Sequence, residues 1–260
     1  KFNFNEKIKE IKKSKLNFLL KKKQINFLIK RYKHEVEANK RVGRNINSLK
    51  RKFKNLEIYD HHDAHAASAY FYSGWKNCYV LTIDGWGDNS SSKLYKANNG
   101  NLVEITRTYT IDSLGYFYGS ITKLLGFKPH RHEGKILGLA AFGNYRKAYS
   151  YISKMISYDK KNKCFKGNFE KGLYISHYEN PNIKFLKNKF SLKDIAAAAQ
   201  KRIEEVIIEF INHNIPKNSK LALAGGVFAN VKINQKISEL KKIKDVFIFP
   251  NRGDGGLSVG

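Results

Sequence analysis

A near-continuous apolar run, Tyr79-Val80-Leu81-Thr82-Ile83, ends at Asp84-Gly85. Such a run reads as a strand buried on both faces. A carboxylate at its end must meet a cation or a donor to offset its lost hydration. The following segments have hairpin spacing. Lys93–Ala97 and Leu102–Tyr109 flank Asn98-Asn99-Gly100-Asn101, a turn sequence that tolerates left-handed backbone. Ser113-Leu114-Gly115 then opens a helix expected to run through Leu125, stopped by Gly126 and Pro129.

A strand ending in Asp-Gly, a hairpin partner, a third strand and a helix make the opening of a ribonuclease-H-like α/β unit. The second half adds a βαβ rhythm. Ser191 is placed to cap a helix reaching about Asn212, with Asp194 at its third position. Lys220–Ala224 and Val246–Phe249 read as strands joined by a helix from about Ala229 to Lys241. That order implies a parallel pair and a right-handed crossover. Leu56–Tyr59 is a short strand candidate. Residues 144–190, rich in Lys, Asn and Tyr without a clear period, read as an insertion.

Residues 1–50 place Ile8, Ile11, Leu16, Leu19 and Leu28 near helical spacing among lysines, an amphipathic helix expected to pack on a neighbour. The formal charge is +27 over 260 residues; residues 1–57 hold 19 Lys/Arg against 5 Asp/Glu, so +14 of it lies there. A Lys-rich surface attracts polyanions. No base-stacking motif accompanies this charge, so solvated helix faces account for it and nucleic acid is not the expected partner. Cys78 and Cys164, the only cysteines, lie outside any CxxC. They argue against a disulfide scaffold or a thiolate zinc site and fit a reducing cytoplasm. No apolar run approaches the roughly 20 residues that span a bilayer. The chain starts at Lys1 and stops at Gly260, where a helix is due, and is expected to be a fragment.

Three separated clusters carry the chemistry. His61 and His65 are four residues apart, so on a helix both imidazoles project from one face. Two neutral imidazoles with carboxylates make a mixed N/O donor set that suits iron, zinc or manganese better than calcium. Asp84 sits at the C-terminal end of the buried strand, where α/β proteins place chemistry. Asp254 lies in Gly253-Asp254-Gly255-Gly256, between a strand and an expected helix. Glycine amides approach phosphate closely there, and a carboxylate among them would hold a metal bridging to that phosphate. Ala224-Gly225-Gly226-Val227-Phe228-Ala229-Asn230 is a junction of the same kind, with Asn230 either bonding a nucleotide or capping the helix. Two such loops beside an acid-bearing strand look like the phosphate clamp of the sugar-kinase, chaperone and actin superfamily.

Seven blocks in order, His61–Ala66, Thr82–Gly87, Ser113–Tyr118, Leu125–Phe127, Glu133–Gly143, Ala224–Asn230 and Gly253–Gly256, closely resemble the nodulation- and antibiotic-type O-carbamoyltransferases. The likeness covers about residue 56 to residue 260. It implies a Kae1-like domain of the actin-like ATPase fold, with residues 1–75 a basic helical segment plus the remainder of a first half and residues 76–260 a second half. The family's N-terminal strand and its C-terminal YrdC-like domain are expected to lie outside this chain. The resemblance implies metal ligands at His61, His65, Asp84 and Asp254, with iron the expected metal and zinc or manganese the alternatives. It places a nucleotide on Gly225, Gly226, Asn230, Gly253 and Gly255, and leaves Lys135 either an anion contact or a surface residue. His62 or Asp63 would either orient a ligand imidazole or simply face solvent. The implied activity transfers a carbamoyl group from carbamoyl phosphate, through a carbamoyl-adenylate made with ATP, to a hydroxyl of a small molecule or saccharide. A tRNA threonylcarbamoyl transferase relative and a non-catalytic nucleotide-binding module are the rival readings.

Overall fold

The computed structural model describes residues 4–13, 18–169, 173–174 and 178–260. The chain forms two compact units, residues 1–59 with 169–172 and residues 60–168 with 173–260. The first unit carries α1 (Phe4–Lys13) and α2 (Phe18–Lys52) where the periodicity suggests one helix. Leu16 lies outside the described residues. Ile11 and Leu28 are buried. Lys50, Arg51 and Lys52 close α2, where cations meet the negative end of the helix dipole. Leu56–Tyr59 is not a strand. Ile58 and Tyr59 are exposed, with no ladder to join.

The second unit is a mixed α/β body on a central sheet. Its elements are α3 (His61–Ser73), β1 (Asn77–Gly87), β2 (Ser90–Asn98), β3 (Asn101–Tyr109), α4 (Leu114–Leu124), α5 (Glu133–Ala140), α6 (Tyr145–Ile152), β4 (Ile156–Asp159), β5 (Cys164–Gly167), α7 (Leu186–Lys189), α8 (Leu192–Asn214), β6 (Ser219–Ala224), α9 (Val231–Ser238) and β7 (Ile243–Ile248). The sheet runs β3-β2-β1-β6-β7. β1, β2 and β3 pair antiparallel, while β6 is parallel to both β1 and β7. The expected hairpin and parallel pair are therefore both present.

Strand alternation decides what meets α3. Cys78 and Val80 of β1, Tyr95 and Ala97 of β2, and Ala222 and Ala224 of β6 share a buried cluster with Ala66, Ala69 and Tyr70 of α3. Small residues on both sides let this short helix lie close to the sheet. Leu81 and Ile83 point to the opposite face and are fully buried. Thr82 and Asp84 stay in step with Val80, so the polar end of β1 emerges beneath the first turns of α3.

The 144–190 segment contains α6, a separate β4–β5 hairpin and α7. The helix expected from Ala229 begins instead at Val231, after a 3-10 turn over Gly226–Ala229. Asn230 ends that turn by accepting hydrogen bonds from the amides of Lys232 and Ile233. Among the described residues no helix is long and apolar enough to cross a membrane.

A candidate metal and nucleotide site

Asp60, with extended backbone, caps α3 by accepting from the amides of His62 and Asp63. Asp88 takes the His61 amide at 2.8 Å. These caps set the helix so that His61 and His65 face the end of β1. His65 Nε2 lies 3.2 Å from Asp84 Oδ2 and 3.9 Å from Asp254 Oδ1. His61 Nε2 lies 3.5 and 3.7 Å from the same two oxygens. One donor atom from each of the four residues falls within 4.8 Å of all the others. Donors set tetrahedrally about 2.1 Å from one centre lie about 3.4 Å apart, so the four His–Asp distances are close to those around a shared cation. His61 Nε2 is buried and finds no hydrogen-bond partner among the described residues, and the N/O set suits a divalent transition metal. On both counts the residues fit a metal.

The electrostatics agree. Burial pushes the Asp84 carboxyl up, but the His61 and His65 rings and the Gly85 amide outweigh it and hold it well below the usual carboxylate range. Burial pushes His61 down, and the Asp84, Asp254 and Asp88 carboxylates more than reverse this. His62 is lowered to about 4 by burial and by its neighbour His61. Its Nδ1 meets Thr82 Oγ1 at 2.9 Å. Asp63 pairs with Lys93 and Tyr95. Neither His62 nor Asp63 hydrogen-bonds a candidate ligand ring: His62 is buried against Thr82, and Asp63, half exposed, holds Lys93 and Tyr95.

Asp84 and Asp254 open onto a cavity of about 640 Å³. Of the glycine-loop residues, Gly226, Asn230 and Gly253 line it, whereas Gly225 and Gly255 do not. Gly225, at φ +95°, passes against the Ile83 backbone, where an added Cβ would sit 2.4 Å from the carbonyl oxygen. Its amide donates to the Arg252 carbonyl and ties the two loops together. Asn230 Oδ1 accepts from two α9 amides and from Gln200, and its Nδ2 donates to Gln200 Oε1. Lys135 stands away from the cavity, its ammonium 5.7 Å from the Phe127 ring centre. Glu133 lines the wall and accepts from the His130 amide.

The family model for the carbamoyltransferase N-terminus matches residues 3–260. The chain belongs to the carbamoyltransferase family. An uncharacterized protein of Methanocaldococcus jannaschii is 32% identical over 80% of this chain and 37% of its own length. The nodulation protein NolNO of Sinorhizobium fredii is 27% identical over 79% of this chain and 30% of its own. This family member thus spans about a third of those relatives. Among solved structures, HypF of T. kodakarensis aligns with a TM-score of 0.46 at 14% identity, over 77% of this chain and 35% of that one.

The sequence reading missed several wall residues of this carbamoyltransferase-family chain. His130, Arg131, Arg252, Tyr118 and Tyr178 all line the cavity. Arg252 was open to discovery, since it directly precedes the Gly253 loop, and Pro129-His130-Arg131-His132-Glu133 is a polar cluster between two motif blocks. Tyr178 gave no signal, because it comes from the segment without periodicity.

Proposed function

We propose that this chain forms the metal- and nucleotide-binding part of an O-carbamoyltransferase with an actin-like fold of the Kae1-like kind. The observation that carries the reading is the convergence of His61, His65, Asp84 and Asp254, the two carboxylates of which also line a cavity walled by two strand-end glycine loops. In this reading, with the help of a YrdC-like domain, carbamoyl phosphate is hydrolysed to carbamate and phosphate. The carbamate oxygen attacks the α-phosphorus of ATP with loss of pyrophosphate, and the resulting carbamoyl-adenylate lies along Gly226 and Gly253. The Arg131 and Arg252 guanidiniums offset its phosphate charge. Gly225 and Gly255 shape the loops, and Asn230 fixes the start of α9. His61, His65, Asp84 and Asp254 would hold a divalent metal, iron before zinc or manganese, which when bound would supply a Lewis acid. The hydroxyl oxygen of a small molecule or saccharide forms the new C–O bond. The bond between the carbamoyl carbon and the phosphate oxygen breaks, AMP departs with its electrons, and the hydroxyl proton passes to solvent.

The test uses the full-length protein with labelled carbamoyl phosphate, ATP and a panel of hydroxyl acceptors. Transfer should need ATP and metal, and Asp254→Ala should abolish it while leaving the chain folded. Unchanged transfer in that variant would overturn the assignment.

A further inference from the structure

The candidate ligands sit on one side of the first turns of α3, and the residues between them do a separate job. Thr82 of β1 and Lys93 of β2 face each other across one rung of the antiparallel ladder. The Thr82 hydroxyl lies 3.3 Å from both the amide nitrogen and the carbonyl oxygen of Lys93 and 2.9 Å from His62 Nδ1. The Lys93 ammonium, its side chain 2% exposed, reaches Asp60 at 2.8 Å, Asp63 at 2.9 Å and Glu104 at 3.6 Å. Tyr95, two residues along the same face of β2, donates to the same Asp63 oxygen. One rung therefore grips the helix at its cap, Asp60, and at His62 and Asp63.

Asp84 stands two residues beyond Thr82 on β1 and on the same face of the strand. The distance from the rung to Asp84 is thus set by covalent strand geometry, and the distance from the rung to His61 and His65 by the helix it grips. A buried ammonium against three carboxylates is a poor source of net stability, because desolvation of the charges opposes their attraction. Its geometry is directional all the same, and it ends on the helix that bears two ligands.

We propose that Thr82 and Lys93 are positioning residues for the metal centre, holding α3 in register with Asp84 so that the four donor atoms converge. This rests on the metal reading given under Proposed function. The probe is cobalt(II), whose visible absorption reports ligand number and symmetry, titrated into the chain in competition with a chelator of known affinity. Lys93→Met and Thr82→Val should each weaken cobalt binding about 10- to 100-fold, the range typical of groups that orient ligands. The cobalt absorption band should change shape, while Lys93→Arg recovers part of the affinity. Asp194→Asn, which removes a carboxylate that accepts from the Asn144 amide at 2.8 Å and pairs with Lys147 at 3.3 Å, controls for general destabilisation and should leave cobalt affinity unchanged. If Lys93→Met fails to fold, Thr82→Val, which keeps the side-chain volume, decides. Wild-type affinity and spectrum in the folded variants would overturn the positioning role. Failure of the unsubstituted chain to bind cobalt any better than His61→Ala/His65→Ala would instead overturn the metal reading itself.

Discussion

At the scale of single residues the site depends on groups too small to carry chemistry. A Cβ built on Gly87 would lie 2.2 to 2.8 Å from three atoms of His61. The ring occupies the space that a side chain would need. Gly87→Ala should therefore push His61 out of line and lower the metal content of the purified chain to well under one ion, as elemental analysis would show. Unchanged stoichiometry would mean that His61 is not a ligand. The candidate ligands stood out in the sequence because Asp84 ends an apolar run, Asp254 lies in a glycine loop after a strand, and His61 and His65 share one helical face. Lys93 was not legible. A lysine in a strand among 49 Lys and Arg looks like surface, and only the fold places it beneath Asp60.

At the scale of elements, the strongest local signals were the most faithful. Ser191 caps α8 by accepting from the Asp194 amide at 3.1 Å, and Ser113 caps α4 through the Tyr116 amide at 3.1 Å, both at positions the sequence marked. Asn99 and Gly100, both at positive φ, make the turn between β2 and β3. Leu56–Tyr59 misled because four residues of strand propensity make no strand without a ladder to join, and Ile58 and Tyr59 are exposed. The short elements of residues 144–190 left no periodicity, since four-residue strands barely complete one alternation. Caps also set an order of sensitivity. Ser191→Ala should lower stability by about 1 kcal/mol, the usual effect of losing an N-cap. Asp60→Ala should lower it by more, because it also removes a carboxylate from the buried Lys93 ammonium. Urea unfolding of the two variants would check the order, and equal losses would show that Lys93 draws no support from Asp60.

At the scale of the whole molecule, the sheet order brings the C-terminal ends of β1, β6 and β7 to one edge, and the candidate ligands and glycine loops collect there. The parallel half of the sheet was legible from the βαβ rhythm. The cavity was not, because its wall draws on α4, α5, α8 and the loop after β7 together. A metal that binds only the folded chain adds stability by mass action, about 2.7 kcal/mol at a free concentration 100 times its Kd. Chelation should accordingly lower the midpoint of thermal unfolding, and restoring iron(II) or zinc should raise it. The His61→Ala/His65→Ala variant should show neither change.

Asp254 differs from its three companions in exposure, at 76% against 19% or less for His61, His65 and Asp84. It also differs in when it is made. His61, His65 and Asp84 leave the ribosome within 24 residues of one another, and Asp254 follows only 170 residues later. The first three candidate donors are therefore made long before the fourth. The candidate donor set is complete only once the loop after β7 has folded against α3.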